Sequence, residues 1–106
     1  MLFAKYKYTI PVSGAVGSKN TDAMYGMVEQ LIVMPVTSTN TYDINIIDKD
    51  GDTIFQQLSN TGPFFDTCGL PIGKDASEKV TMSLSNVGVD ENFSVIFKVR
   101  ERLWEL

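Results

Sequence analysis

Histidine is absent from this chain of 106 residues, and cysteine occurs once. The first absence removes the commonest general base, every Ser-His and Cys-His nucleophile pairing, and the usual imidazole sites for zinc and copper. The second excludes an internal disulfide. Cys68 therefore reads as a structural thiol, and a reducing compartment or a fold held by packing fits better than a small secreted scaffold. No apolar run approaches the roughly 18 residues of a membrane-spanning helix. The opening stretch MLFAKYKYTIP, interrupted by Lys5 and Lys7, does not read as a secretory signal. Helical spacing at i, i+3, i+4 and i+7 is missing from every window of useful length. At most, residues 20–26 and 100–106 allow a short helical turn.

Positive charge is also scarce. Nine Lys and Arg against thirteen Asp and Glu leave a formal net charge of −4. Without a basic stripe the chain lacks the footprint of a nucleic-acid binder. Only Lys98, Arg100 and Arg102 recur locally; at every second position they share one face of a strand, which reads as solvated surface.

What the chain does have is alternation. Leu2, Ala4, Tyr6, Tyr8 and Ile10 form one apolar face of a first strand that Pro11 ends. Residues 12–20, with Gly14 and Gly17, read as an exposed loop. From Met24 to Val36 the chain is strand-like, and Leu31-Ile32-Val33-Met34 is apolar on both sides, as in a strand with protein on each face. Tyr42, Ile44 and Ile46 alternate with Asp43 and Asn45, so Tyr42 belongs to a core-facing row. Asp48-Lys49-Asp50-Gly51 then supplies the positive-φ position of a tight hairpin, with Thr53 to Leu58 as the returning strand. Residues 59–77 are rich in Gly, Pro, Asn and Asp and read as a long irregular excursion tacked down by Phe64, Phe65, Leu70 and Ile72. Val80, Met82 and Leu84 alternate again, Asn86 to Asp90 reads as a second hairpin loop, and Phe93, Val95, Phe97 and Val99 form a last apolar row. The pattern predicts one all-β domain over residues 1–106 with six to eight mostly antiparallel strands. That is a β-sandwich, jelly-roll-like or immunoglobulin-like, or a small barrel.

No constellation of reactive groups emerges, and no cofactor or metal ligand set is predicted. Asp48-Lys49-Asp50-Gly51-Asp52 resembles a calcium loop but has its glycine fourth and Ser59 in the twelfth place, against the sixth-position glycine and twelfth-position glutamate of an EF-hand. Turn chemistry accounts for it. Gly14 and Gly17 are not followed by a helix, and Lys19-Asn20 does not complete a phosphate loop. The acidic residues select no pair for glycoside hydrolysis. An aromatic platform for carbohydrate could draw on Tyr25, Phe64, Phe65 and Trp104. At the C-terminal end Leu103, Trp104 and Leu106 are large and apolar; they either complete the domain's own sheet or pack on a neighbour.

TYDINIIDKDGDTIFQ, followed by VTMSLSNVGVDENFSVIFKVRE, resembles the small all-β structural proteins of tailed-bacteriophage particles. These are histidine- and cysteine-poor and rich in Thr, Ser, Asn and Val. The resemblance covers about residues 27 to 102, in style and not through a diagnostic motif. It implies a non-enzymatic virion protein, most readily a head decoration (cement) protein, with connector, tail or fibre components as the alternative. It further implies other virion subunits, above all the major capsid protein, as partners, together with homo-oligomerisation, no nucleic acid and no membrane. The location implied is the virion, assembled in the host cytoplasm. Outside that resemblance stand a carbohydrate-binding sandwich and an enzyme subunit or inhibitor. On the virion reading the contact residues are Phe64, Phe65, Leu70, Leu103, Trp104 and Leu106, with Val12 and Val16 of the 12–20 loop beside them.

Overall fold

The computed structural model describes residues 3–24, 26–67, 69–72 and 79–101. Nine strands fill it: β1 (Phe3–Ile10), β2 (Gly17–Asn20), β3 (Gly26–Pro35), β4 (Thr41–Ile47), β5 (Thr53–Thr61), β6 (Phe64–Asp66), β7 (Leu70–Ile72), β8 (Thr81–Ser85) and β9 (Phe93–Glu101). They form two antiparallel sheets. One runs β1-β9-β3-β6 with β7 also on β3; the other runs β2-β8-β4-β5. β6 and β7 pair with opposite ends of the same edge of β3, at Leu31 to Val33 and at Gly26 to Val28. Together they make one interrupted strand. Counted so, the chain folds back on itself at the β4–β5 turn, pairing first with last, second with second-last, and so inward. That is the connectivity of a jelly-roll β-sandwich.

Alternation built these strands, and each inner face feeds one core. Tyr8 and Ile10 of β1, Val28, Leu31 and Val33 of β3, and Phe93, Val95, Phe97 and Val99 of β9 meet Tyr42, Ile44 and Ile46 of β4 and Met82 and Leu84 of β8. Tyr42 packs edge-on to Phe93 (centroids 5.0 Å apart) and Tyr8 edge-on to Phe97 (6.2 Å). Burial pushes the Tyr42 hydroxyl up to about 12, so it stays a donor, and it donates to the Gly62 carbonyl at 2.7 Å.

β3 changes phase along its length. The register against β9 slips between Val28 and Gln30, a bulge around Glu29. One extra residue inverts the phase of a strand. Val28 therefore points inward and so do Leu31 and Val33, while Ile32 is left on the outer face.

Two sequence expectations change here. Residues 59–72 are not a long irregular excursion: 59–61 complete β5, and β6 and β7 take up 64–66 and 70–72, while 68 and 73–77 lie outside the described residues. Gly62 and Pro63 mark the break before β6 and Gly69 the break before β7, while Pro71 lies inside β7. Asn86 to Asp90 is not a hairpin loop either, because β8 and β9 lie in different sheets and the segment crosses the sandwich. The 12–20 loop contains β2, and no helix occurs among the described residues, including 20–24 and 26. The Asp48–Gly51 hairpin forms as predicted. Asp48 Oδ1 accepts the N–H groups of Asp50 (3.0 Å) and Asp52 (2.9 Å), and Gly51 has φ +87°.

Candidate functional site

Three places combine exposure with organisation. The first is the end of the sandwich where the loops before β2, before β4, before β6 and before β9 meet. Ser13 to Val16 is a two-residue turn with Gly14 and Ala15 both at positive φ. Asp90 holds it from the far loop, accepting the N–H of Gly14 on one oxygen and of Ala15 on the other, each at 2.9 Å. Glu91 accepts the Thr37 N–H (2.8 Å) and hydroxyl (2.7 Å). The Thr37 amide, then its hydroxyl, holds the Glu91 carboxyl below its ordinary value. Asn40, buried, joins these loops: its amide donates to the Val89 carbonyl (2.9 Å) and to Glu91 (3.0 Å) and accepts from the Val89 N–H (2.9 Å). On this braced end Val16 (55%), Val36 (78%) and Val89 (48%) remain exposed.

The second is the outer face of the β1-β9-β3-β6 sheet. Register places Lys7, Ile96, Ile32 and Phe65 in one row across four strands. Phe65 is 61% exposed, whereas Ile32 and Ile96, at 8% and 7%, are shielded by their neighbours yet lie outside the core between the sheets. The adjoining row is Lys5, Lys98 and Gln30, and Arg100 lies opposite Met27. Arg100 Nε is 2.9 Å from Glu29 Oε1, an ion pair without hydrogen-bond alignment. The face thus presents one exposed aromatic, Phe65, in line with two shielded isoleucines and edged by cations, a mixture that suits a protein surface.

The third is a polar cleft of about 380 Å³ lined by Thr41, Tyr42, Asp43, Ser59, Asn60, Thr61 and Asn86. Asp43 accepts the Ser59 N–H (2.7 Å) and the Asn86 side-chain amide (2.7 Å), which hold its carboxyl below the usual range, the Ser59 amide most. Ser59 and Asn86 both adopt positive φ, +58° and +51°, conformations that cost L-residues energy. The ring of Tyr42 is turned into the core, so the cleft has polar groups without a stacking platform.

Of the predicted contact residues that are described, the structure exposes Phe65 and Val16. Phe64 is half-buried, its ring 6.2 Å from that of Phe55, and Leu70 also packs against the core. Adjacent residues on a strand face opposite ways, so one of Phe64 and Phe65 had to turn inward. Val12 is buried, against expectation, because it follows β1 over the end of the core; Val16 is exposed as expected. Leu103, Trp104, Leu106, Arg102, Tyr25 and Cys68 lie outside the described residues. Reading by residue type missed Ile32, Ile96 and the facing lysines Lys5 and Lys7. The one local signal was Ile96 standing between Ser94 and Lys98 on a polar face. Compared with known proteins, the sequence matches no protein-family model and no characterised protein.

Proposed function

We propose that this chain is a non-enzymatic structural protein of a tailed-phage particle, a head decoration protein that stabilises the capsid by protein–protein contacts. The single observation that supports the contact role is the row Phe65–Ile32–Ile96, which sets an exposed phenylalanine in line with two shielded isoleucines on the outer side of a sheet. The virion setting comes from the resemblance of residues 27 to 102 to such proteins. On this reading the strip docks on the major capsid protein, and the braced end with Val16, Val36 and Val89 is the surface for self-association. A connector, tail or fibre subunit would use the same surfaces against other partners.

Capsids lacking the chain, mixed with purified protein and sedimented, test the proposal. Saturable co-sedimentation and a raised thermal midpoint of the shell are expected. Phe65→Asp, which leaves the core untouched, should abolish both while its own melting temperature holds. Sedimentation of shells free of the protein would sink the decoration role.

A further inference from the structure

The outer face of the β1-β9-β3 sheet carries charge opposite to that of the chain. Lys5, Lys7, Lys98 and Arg100 lie on it with Glu29, a local charge of +3; the chain total of −4 then leaves −7 for the remainder. Lys5 and Lys98 are direct cross-strand partners, a like-charge arrangement that costs stability. Among the described residues no carboxylate forms an ion pair with Lys5, Lys7 or Lys98. A cost retained on an exposed face points to a use there.

We propose that this face docks an acidic surface of a different protein, with the Phe65–Ile32–Ile96 row at the centre of the contact and Lys5, Lys7 and Lys98 at its rim. The inference deepens the contact role above by giving the partner's chemistry, and it rests on that role and not on the virion setting. Three arguments select the occupant. A nucleic acid or anionic lipid would meet the lysines but would also face a body of charge −7, which repels a polyanion. A second copy related by a two-fold axis through this face would set lysines against lysines. A head-to-tail copy would have to offer an acidic patch. Outside this face Asp43, Asp48, Asp90 and Glu91 accept backbone amides of their own chain, which leaves Asp50 and Asp52 of the hairpin as the acidic group a head-to-tail copy would present, and such a copy would show as self-association in the test below.

The probe is a glutamate–tyrosine copolymer, titrated into the full chain beside a duplex DNA oligomer and phosphatidylglycerol vesicles, with methyl and amide shifts read by NMR. The copolymer should bind, shift the Ile32 and Ile96 methyls, and weaken steadily with salt. Lys7→Glu with Lys98→Glu should reduce affinity at least about tenfold, while arginine at both positions retains it. Lys98→Glu sets opposite charge against Lys5, so the melting temperature should hold or rise as binding falls. A purely structural role would move the two together. The proposal is overturned if DNA or vesicles bind as tightly as the copolymer, if charge reversal changes nothing, or if shifts map elsewhere. It is also overturned if self-association consumes this face, or if binding appears only after removal of residues 102–106. Copolymer binding without capsid binding would sink the virion setting alone; capsid binding without copolymer binding would sink this proposal alone.

Discussion

Asn40 is the point where a single side chain ties the loop before β4 to the loop before β9, and its removal has a cost that can be worked out. Its amide makes three hydrogen bonds, two to the Val89 backbone and one to Glu91. Its own N–H and carbonyl engage Thr37 (3.0 Å) and Gly62 (2.8 Å) and survive truncation. Val89 is part-exposed, so its freed backbone groups regain water. The net value of about 1 kcal/mol per bond then applies, and not the full penalty of a buried orphan. Asn40→Ala should therefore cost about 3 kcal/mol. At roughly 4–8 °C per kcal/mol for a domain near this size, the melting temperature should fall by about 12–24 °C. Urea titration followed by circular dichroism measures it, with an unchanged m-value showing that the unfolded ensemble is unaltered. Faster exchange of the Val89 amide should accompany the loss. Asn40→Asp keeps the shape and the acceptor, removes the donors and adds a carboxylate beside Glu91; its deficit should shrink as pH falls and the pair protonates. A loss below about 1 kcal/mol in the alanine variant, or an aspartate variant indifferent to pH, would refute the hub reasoning.

Tyr42→Phe should lose about 1–3 kcal/mol, because the hydroxyl it deletes is the buried donor to the Gly62 carbonyl; equal stability of the two proteins would show that water replaces it. Gly62→Ala should be worse than its size suggests. Gly62 has φ +70° and an added Cβ would collide with the Ser38 carbonyl oxygen, so roughly 1–2 kcal/mol of left-handed strain is joined by a backbone clash, visible as a lower urea midpoint. Glu91 and Asp43 have folded pKa values lowered chiefly by the Thr37 and Ser59 amides. That stability is complete above the unfolded carboxylate value of about 4 and is lost as pH falls through the lowered folded values. Stability should decline below about pH 4, and Glu91→Gln should flatten the decline; an unchanged slope would discard Glu91 as a contributor.

Parts of this architecture were legible in the chain alone. Asp48 to Gly51 could be assigned because everything that fixes the turn lies within five residues: an aspartate to accept the amides and a glycine at positive φ. Tyr42 could be placed in the core from its row with Ile44 and Ile46. The segment Asn86 to Asp90 could not. Its composition is that of a turn in either case, and whether it reverses within a sheet or crosses to the other depends on which strands pair. β6 and β7 were hidden for a related reason: three-residue strands set off by Gly62, Pro63 and Gly69, one of them with Pro71 at its centre, leave no run long enough to show alternation. Phe65 was recognisable by type as a candidate for the surface, and it is exposed; the outward placement of Ile32 was not legible, because the bulge at Glu29 reverses the phase of β3.

Alternation and composition, which are properties of the chain alone, suffice for an all-β domain with a continuous apolar core and few groups that activate nucleophiles. The jelly-roll order and the outer-face row of Lys7, Ile96, Ile32 and Phe65 arise only once the strands pair. Those residues are 89, 64 and 33 positions apart in the chain and become neighbours through hydrogen-bonded register between strands. Which of two apolar faces meets solvent is settled by what the fold lays against it.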